Sequence, residues 1–237
     1  MKYRRPRNQR RGAWTYFFEF LIIIAGISVS FLLNEWREGK KMEEKKVSLL
    51  QEISNDLAND SLQLSFSVKY YGLMLNAHDS LLNNLDKSFH SDSLDTYLDF
   101  VSSYFPFQET KSTFLKITND PELVISQEDT LLEHFLGIHN QLYPHIHEWV
   151  SVDKGFVLQQ VLPYMDLHAP FYYPPPVNKS FQGKVFYDLK EENAFLNLLK
   201  SGRTFKSAIA QVYSSALRTV VYRKRQIDEH LASLNSK

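Results

Sequence analysis

The 21 residues from Ala13 to Leu33 constrain this chain more than any others, because they hold one formally charged group, Glu19. At about 1.5 Å of rise per residue, such a run makes about 30 Å of helix, the thickness of a bilayer's hydrocarbon core. Trp14 and Tyr16 stand at one end and Trp36 at the other, where amphipathic rings seat at membrane interfaces. A cleaved signal peptide would carry a shorter apolar core and then a small-x-small site. Here the run leads instead into Asn34-Glu35-Trp36. The segment therefore reads as an uncleaved signal anchor. Residues 1–12 form a basic cytoplasmic tail, 13–34 a transmembrane helix, and 35–237 an extracytoplasmic helical domain.

Charge supports that division. The chain of 237 residues has a formal net charge of zero, yet residues 1–14 hold Lys2, Arg4, Arg5, Arg7, Arg10 and Arg11 and no acid, which leaves the remaining 223 residues at minus six. A mildly acidic main domain argues against nucleic acid as a partner. Six basic residues precede the span and five follow it, at Arg37, Lys40, Lys41, Lys45 and Lys46. A long domain translocates largely regardless of its charge, whereas a short basic tail resists crossing, so the N-terminus is expected inside and the main domain outside. With no cysteine in the chain, disulfides, thiol catalysis and cysteine-based zinc sites are excluded.

Glu19 asks for an explanation. At about 100° per residue, Glu19, Gly26 and Ser30 fall within about 40° of one another, with Asn34 close to the same stripe. A small-xxx-small pair such as Gly26 and Ser30 lets two helices approach closely in lipid. The expectation is that the face Glu19, Gly26, Ser30, Asn34 packs against a helix of another membrane protein or of a second copy, with Glu19 hydrogen-bonding across the contact. The competing reading leaves Glu19 at the inner interface, snorkelling or meeting Arg10 or Arg11. A proton relay would need a chain of ionisable groups within the span.

Glu19, Gly26 seven residues later, the string Asn34-Glu35-Trp36-Arg37-Glu38 and the Lys/Glu-rich helix start that follows resemble a family of single-pass inner-membrane proteins from Bacteroidota, known as a domain of unknown function. Its members similarly carry a glutamate near the start of the span, a central glycine, an Asn-x-Trp near the exit and then a long helix. Thr113-Phe114-Leu115-Lys116-Ile117 and the helix Thr130–Tyr143 sit where such proteins have related helical segments. The aromatic- and proline-rich middle departs from that pattern. The resemblance implies a location, the bacterial inner membrane, and an architecture. It implies no activity.

Beyond the span, Leu50, Leu57, Leu64, Tyr71, His78 and Leu85 recur every seven residues, Ile53 stands three after the first, and Val68, Leu75 and Leu82 stand four after others. This predicts a long amphipathic helix over 35–86 that can run on from the span. The break at Phe89–Ser93 offers caps for a helix Leu94–Tyr104, stopped before Pro106. Further helices are expected over 111–119, over 127–143 with Ser126 and Asp129 approximating a capping box, and over Trp149–Leu162, stopped near Pro163. The strip Ala169–Val177, with three consecutive prolines, reads as extended loop. A last helix covers Glu191–Leu234. Leu198, Phe205 and Val212 keep a seven-residue beat that Val220, Ile227 and Leu234 resume one place late, with Gly202 a candidate kink or break. The fold class is all-α: a single N-terminal transmembrane helix followed by an antiparallel helical bundle whose first and last helices are long.

Chemistry-bearing motifs are absent. His139, His145, His147 and Glu148 are the densest metal-capable group, but zinc needs three or four convergent ligands, and packing or surface histidines are the plainer reading. There is no phosphate-binding glycine loop, no Gly-x-Ser-x-Gly and no His-Glu-x-x-His, so neither an enzyme nor a cofactor is expected. Two function classes remain. One is an interaction protein, a subunit or scaffold of a cell-envelope complex. The other is a sensor binding a small ligand in an aromatic cleft around Tyr97, Phe100, Tyr104, Phe107 and Trp149, for which ordinary core packing is the competing account. A sensor would need a separate protein to relay its signal, because the cytoplasmic tail is a dozen residues, and this asymmetry favours the first class.

Overall fold

The computed structural model describes residues 13–84, 91–120, 130–168 and 193–236. All regular elements among the described residues are helical, as the periodicities predict. They are α1 (Ala13–Asn83), α2 (Ser91–Val101), α3 (Ser112–Asn119), α4 (Thr130–Gly137), the π-turn π1 (Ile138–Leu142), α5 (Tyr143–Phe156), the π-turn π2 (Val157–Val161), α6 (Leu162–His168) and α7 (Asn193–Asn235). The chain divides into two compact units, Met1–Leu49 and Leu50–Lys237, and α1 contributes residues to both.

In the first unit, the large apolar side chains of α1 from Trp14 to Trp36 are exposed, Phe31 to 72%. This is the one helix among the described residues long and apolar enough to cross a membrane, and none of its apolar window is buried.

In the second unit, the heptad row is the core. Leu50, Leu57, Leu64, Tyr71 and His78 are all buried, and so is a second row three residues on: Ile53, Asp60, Ser67, Met74 and Leu81. Alternating steps of three and four are the seam of helices packed at a shallow angle. Val68, Leu75 and Leu82, which the sequence reading places on that seam, are half-buried beside it. The seam instead takes two polar residues, Asp60 and Ser67.

The contacts of α1 give the directions of the other segments. Leu94 and Leu98 of α2 pack with Leu81, Phe105 stacks near Tyr70 with ring centroids 4.9 Å apart, and the Thr110 amide meets Asp60 at 2.7 Å. Lys116 of α3 then meets Glu52 at 2.7 Å, so α2, the strip 102–111 and α3 run back down α1. The α4–α6 stretch climbs again, from Tyr143 at Asp60 to Asp153 at Tyr71 and Met165 in the Leu81 cluster. Finally α7 descends, with Arg203 paired to Asp79 and Asp228 to Ser54. The result is an up-down-up-down bundle. Its second strut is two short helices with an irregular strip between them, which contains Pro106.

Pro163, near which the sequence reading stops a helix, does not break the third strut, and neither does Pro144. Helix continues from Thr130 through Pro144 and Pro163 to His168. Each proline sits two residues past the end of a π-turn. The Tyr143 amide donates to Ile138 O and the Leu162 amide to Val157 O, and these wider five-residue steps relieve the ring's clash with the preceding turn. Each π-turn also absorbs one extra residue. The buried face therefore stays in line, passing from Phe135 and His139 to Tyr143, Ile146, Val150, Asp153 and Val157, then to Val161 and Met165.

The last helix also corrects the sequence reading. Its buried row is Leu199, Lys206, Tyr213, Val220 and Ile227, an unbroken beat one place from Leu198, Phe205 and Val212, which are half-buried. Gly202 does not end the helix. It marks a close approach, since a Cβ there would lie 2.6 Å from His78 Nε2. The cap at Ser126–Asp129, the proline strip Ala169–Val177 and Leu85 lie outside the described residues.

Candidate functional site

The first candidate is the uncovered face of α1. Gly26, Ser30 and Asn34 line one shallow groove with Ile22, Ile23, Ile27 and Phe31. Glu19 lies on the same exposed helix, three to four residues before Ile22 and Ile23. Ser30 Oγ donates to Gly26 O at 2.8 Å, which satisfies the hydroxyl within the helix, and Asn34 Nδ2 donates to Glu38 at 2.8 Å. A Cβ on Gly26 would meet nothing within 4 Å. The glycine therefore has no packing role among the described residues, and its bare backbone is open to a neighbour.

The second candidate is a seam of buried polar groups in the bundle. Lys206 is fully buried, as is Asp153. Lys206 Nζ donates to both Asp153 oxygens at 2.7 Å and to Ser103 O at 2.6 Å. Tyr71 Oη donates to Asp153 Oδ2 at 3.0 Å and accepts from the Phe105 amide at 3.4 Å. Tyr213 Oη donates to Phe105 O at 3.4 Å. Lower down, Tyr143 Oη donates to Asp60 Oδ2 at 2.5 Å and the Thr110 amide to Asp60 Oδ1 at 2.7 Å. Asp56 accepts from Ser112 Oγ and the Thr113 amide, each at 3.0 Å. These groups share one task. The strip 102–111 has no helical ladder for its backbone, side chains from α1 and α7 supply the missing partners, and Tyr143 and Asp153 of α5 hold those side chains in place.

Burial sets their protonation. It pulls the Lys206 ammonium down, against the pull of Asp153 in the other direction, and it raises Asp60 despite the hydrogen bonds from Tyr143 and Thr110. The Tyr71 and Tyr143 phenols are raised by burial and then by the neighbouring carboxylates, so both remain donors. His78 and His139 are pushed down to about 4 by burial, and the Nε2 atom of each has no hydrogen-bond partner. Lys206 and Asp153 reach no solvent, so their chemistry is structural.

The metal-capable residues diverge. His139 stacks on Phe114 at 4.6 Å, His147 pairs with Glu109 at 2.7 Å, and His145 lies 3.9 Å from Glu148. Among the described residues no group of three acids or histidines is placed to hold a metal. The aromatics of the expected cleft have separate partners. Phe107 is buried against Tyr143 and Tyr213. Tyr97 and Tyr104 pack against the Leu81 cluster, Phe100 meets Tyr70 edge-on at 5.6 Å, and Trp149 meets His145 at 6.4 Å. Sequence reasoning missed Lys206, Asp153, Asp60 and Asp56. The heptad itself held the signal, because Asp60 and Lys206 occupy seam positions of rows whose other members are mostly apolar.

With this geometry in place, comparison with known proteins adds one finding. Residues 19–113 match the model of a family of unknown function (DUF6090). The DUF6090 match begins at Glu19 and ends at Thr113, whose amide donates to Asp56. It thus takes in the uncovered face, the heptad helix, α2 and the irregular strip. No curated protein and no solved structure matches the chain.

Proposed function

We propose that this chain is a membrane-anchored interaction protein of a bacterial cell envelope, a subunit or scaffold of a complex. Residues 13–34 cross the inner membrane, the N-terminus is cytoplasmic and the bundle is periplasmic. The observation that carries the reading is the apolar first part of α1, uncovered by the described chain and grooved at Gly26 and Ser30. A lipid bilayer covers such a surface, and a bare glycine facing outward admits a second helix. The partner is a helix of another membrane protein or of a second copy, received on the face Glu19, Gly26, Ser30, Asn34. Nucleic acid has no place in the proposal, given the minus six charge beyond residue 14.

Orientation follows from six basic residues before the span and from the ease with which a long domain translocates. The absence of cysteine makes it directly testable. Asn8→Cys and Ser236→Cys are expressed singly and treated with a membrane-impermeant maleimide in intact spheroplasts. The expected result is labelling at position 236 before lysis and at position 8 only after it. The reverse order would overturn the topology, and labelling of both before lysis would overturn the anchor.

A further inference from the structure

A groove of about 700 Å³ opens where π1 passes α7, within the range of small-molecule sites. Its apolar part is Leu136, Ile138 and Leu142, and its polar wall carries His134, His145 and Arg223, with Glu133 the acid among them. Arg223 is charged at every accessible pH and has five N–H donors. One guanidinium nitrogen donates to Gln226 at 2.8 Å, and the group lies 5.4 Å from the Tyr222 ring centroid. The plane is thereby held while donors remain. His134 lines the same wall, and its Nδ1 is buried beneath the surface with no hydrogen-bond partner. π-turns recur at functional sites, and π1 supplies four of the lining positions through Ile138, Asn140, Gln141 and Leu142.

We propose that this groove binds a small organic carboxylate with an apolar body. The carboxylate pairs with Arg223 and takes hydrogen bonds from His134 and His145, while the body lies on Ile138 and Leu142. Bidentate pairing to a guanidinium gives the site its preference for an anion. The inference stands apart from the membrane reading, since every residue in it belongs to the bundle.

The full chain in zwitterionic nanodiscs, with histidines carbon-13 labelled, is titrated with hexanoate and, separately, with hexylamine. Hexanoate is expected to shift the His134 and His145 ring signals saturably, and hexylamine, with the same tail, to leave them in place. Arg223→Gln should weaken hexanoate about tenfold or more, the loss of one charge-assisted pair. Gly137→Leu puts a branched side chain into the groove at a position where a Cβ meets nothing within 4 Å, and should weaken hexanoate binding in a chain whose melting temperature shows that it is folded. No saturable shift with hexanoate, an equal response to hexylamine, or unchanged binding in the folded Gly137→Leu chain would each overturn the site.

Discussion

Lys206 is the residue on which the bundle's interior turns. It occupies a heptad seam, is fully buried, and holds Asp153 and the backbone of the irregular strip together. Removing one member of a buried pair leaves the other charge uncompensated. Lys206→Met should therefore lower stability by about 3–5 kcal/mol, measured by urea unfolding. Lys206→Met with Asp153→Leu should recover most of that loss, because a well-packed apolar pair replaces a desolvated ionic one at little net cost. In the double variant, Ser103 O loses its partner, so amide exchange in the strip should still rise. A double variant as unstable as the single one would mean that the pair does more than satisfy itself.

The buried histidines give the fold its acid sensitivity. His78 and His139 titrate near 4 when folded, against about 6.5 when unfolded. A lowered histidine favours the folded state fully above pH 6.5, and that contribution is lost as pH falls from 6.5 towards 4, because the unfolded chain takes up the protons first. Each ring should contribute up to about 3 kcal/mol of such loss. His139→Phe keeps the aromatic sandwich of Phe114, Phe135 and Tyr143 and removes one titration. Its stability between pH 6.5 and 4 should fall less steeply than that of the parent chain. Identical slopes would assign the acid response to other groups.

At the scale of elements, the two π-turns explain why proline is harmless in the third strut. A proline in an ordinary helix interior costs about 3 kcal/mol. Here the π-turn before it has already widened the backbone, so Pro144→Ala should change the unfolding free energy by less than about 1 kcal/mol, read by thermal melting. A gain near 3 kcal/mol would show that the ring is strained and the π-turn is no accommodation. The same elements show how far the fold is legible in the sequence. The row Leu50 to His78 is read correctly because its members are apolar or aromatic with one histidine. In α7 the reading slips by one place, because Lys206 interrupts the apolar pattern on the true seam and Leu198, Phe205 and Val212 mimic it beside the seam. Pro144 and Pro163 look like stops because single-residue rules for proline assume an α-helical step. The polar seam was hidden for a related reason, since partners such as Asp60 and Thr110 meet only through tertiary packing.

At the scale of the whole molecule, the buried lysine and aspartates of the bundle find partners within it, whereas an apolar helix face is left uncovered by the described chain. The bundle residues of the DUF6090 match are explained by packing and by the strip they hold. Gly26 has no packing neighbour among the described residues, and the proposed function gives it one, a helix of another membrane protein or of a second copy. The direct test is native mass spectrometry of the full-length protein, released gently from its own membranes, beside Glu19→Gln and Gly26→Ile. The account predicts a stoichiometric complex, with another membrane protein or a second copy, that weakens in both variants. A lone monomer unchanged by either substitution would contradict it.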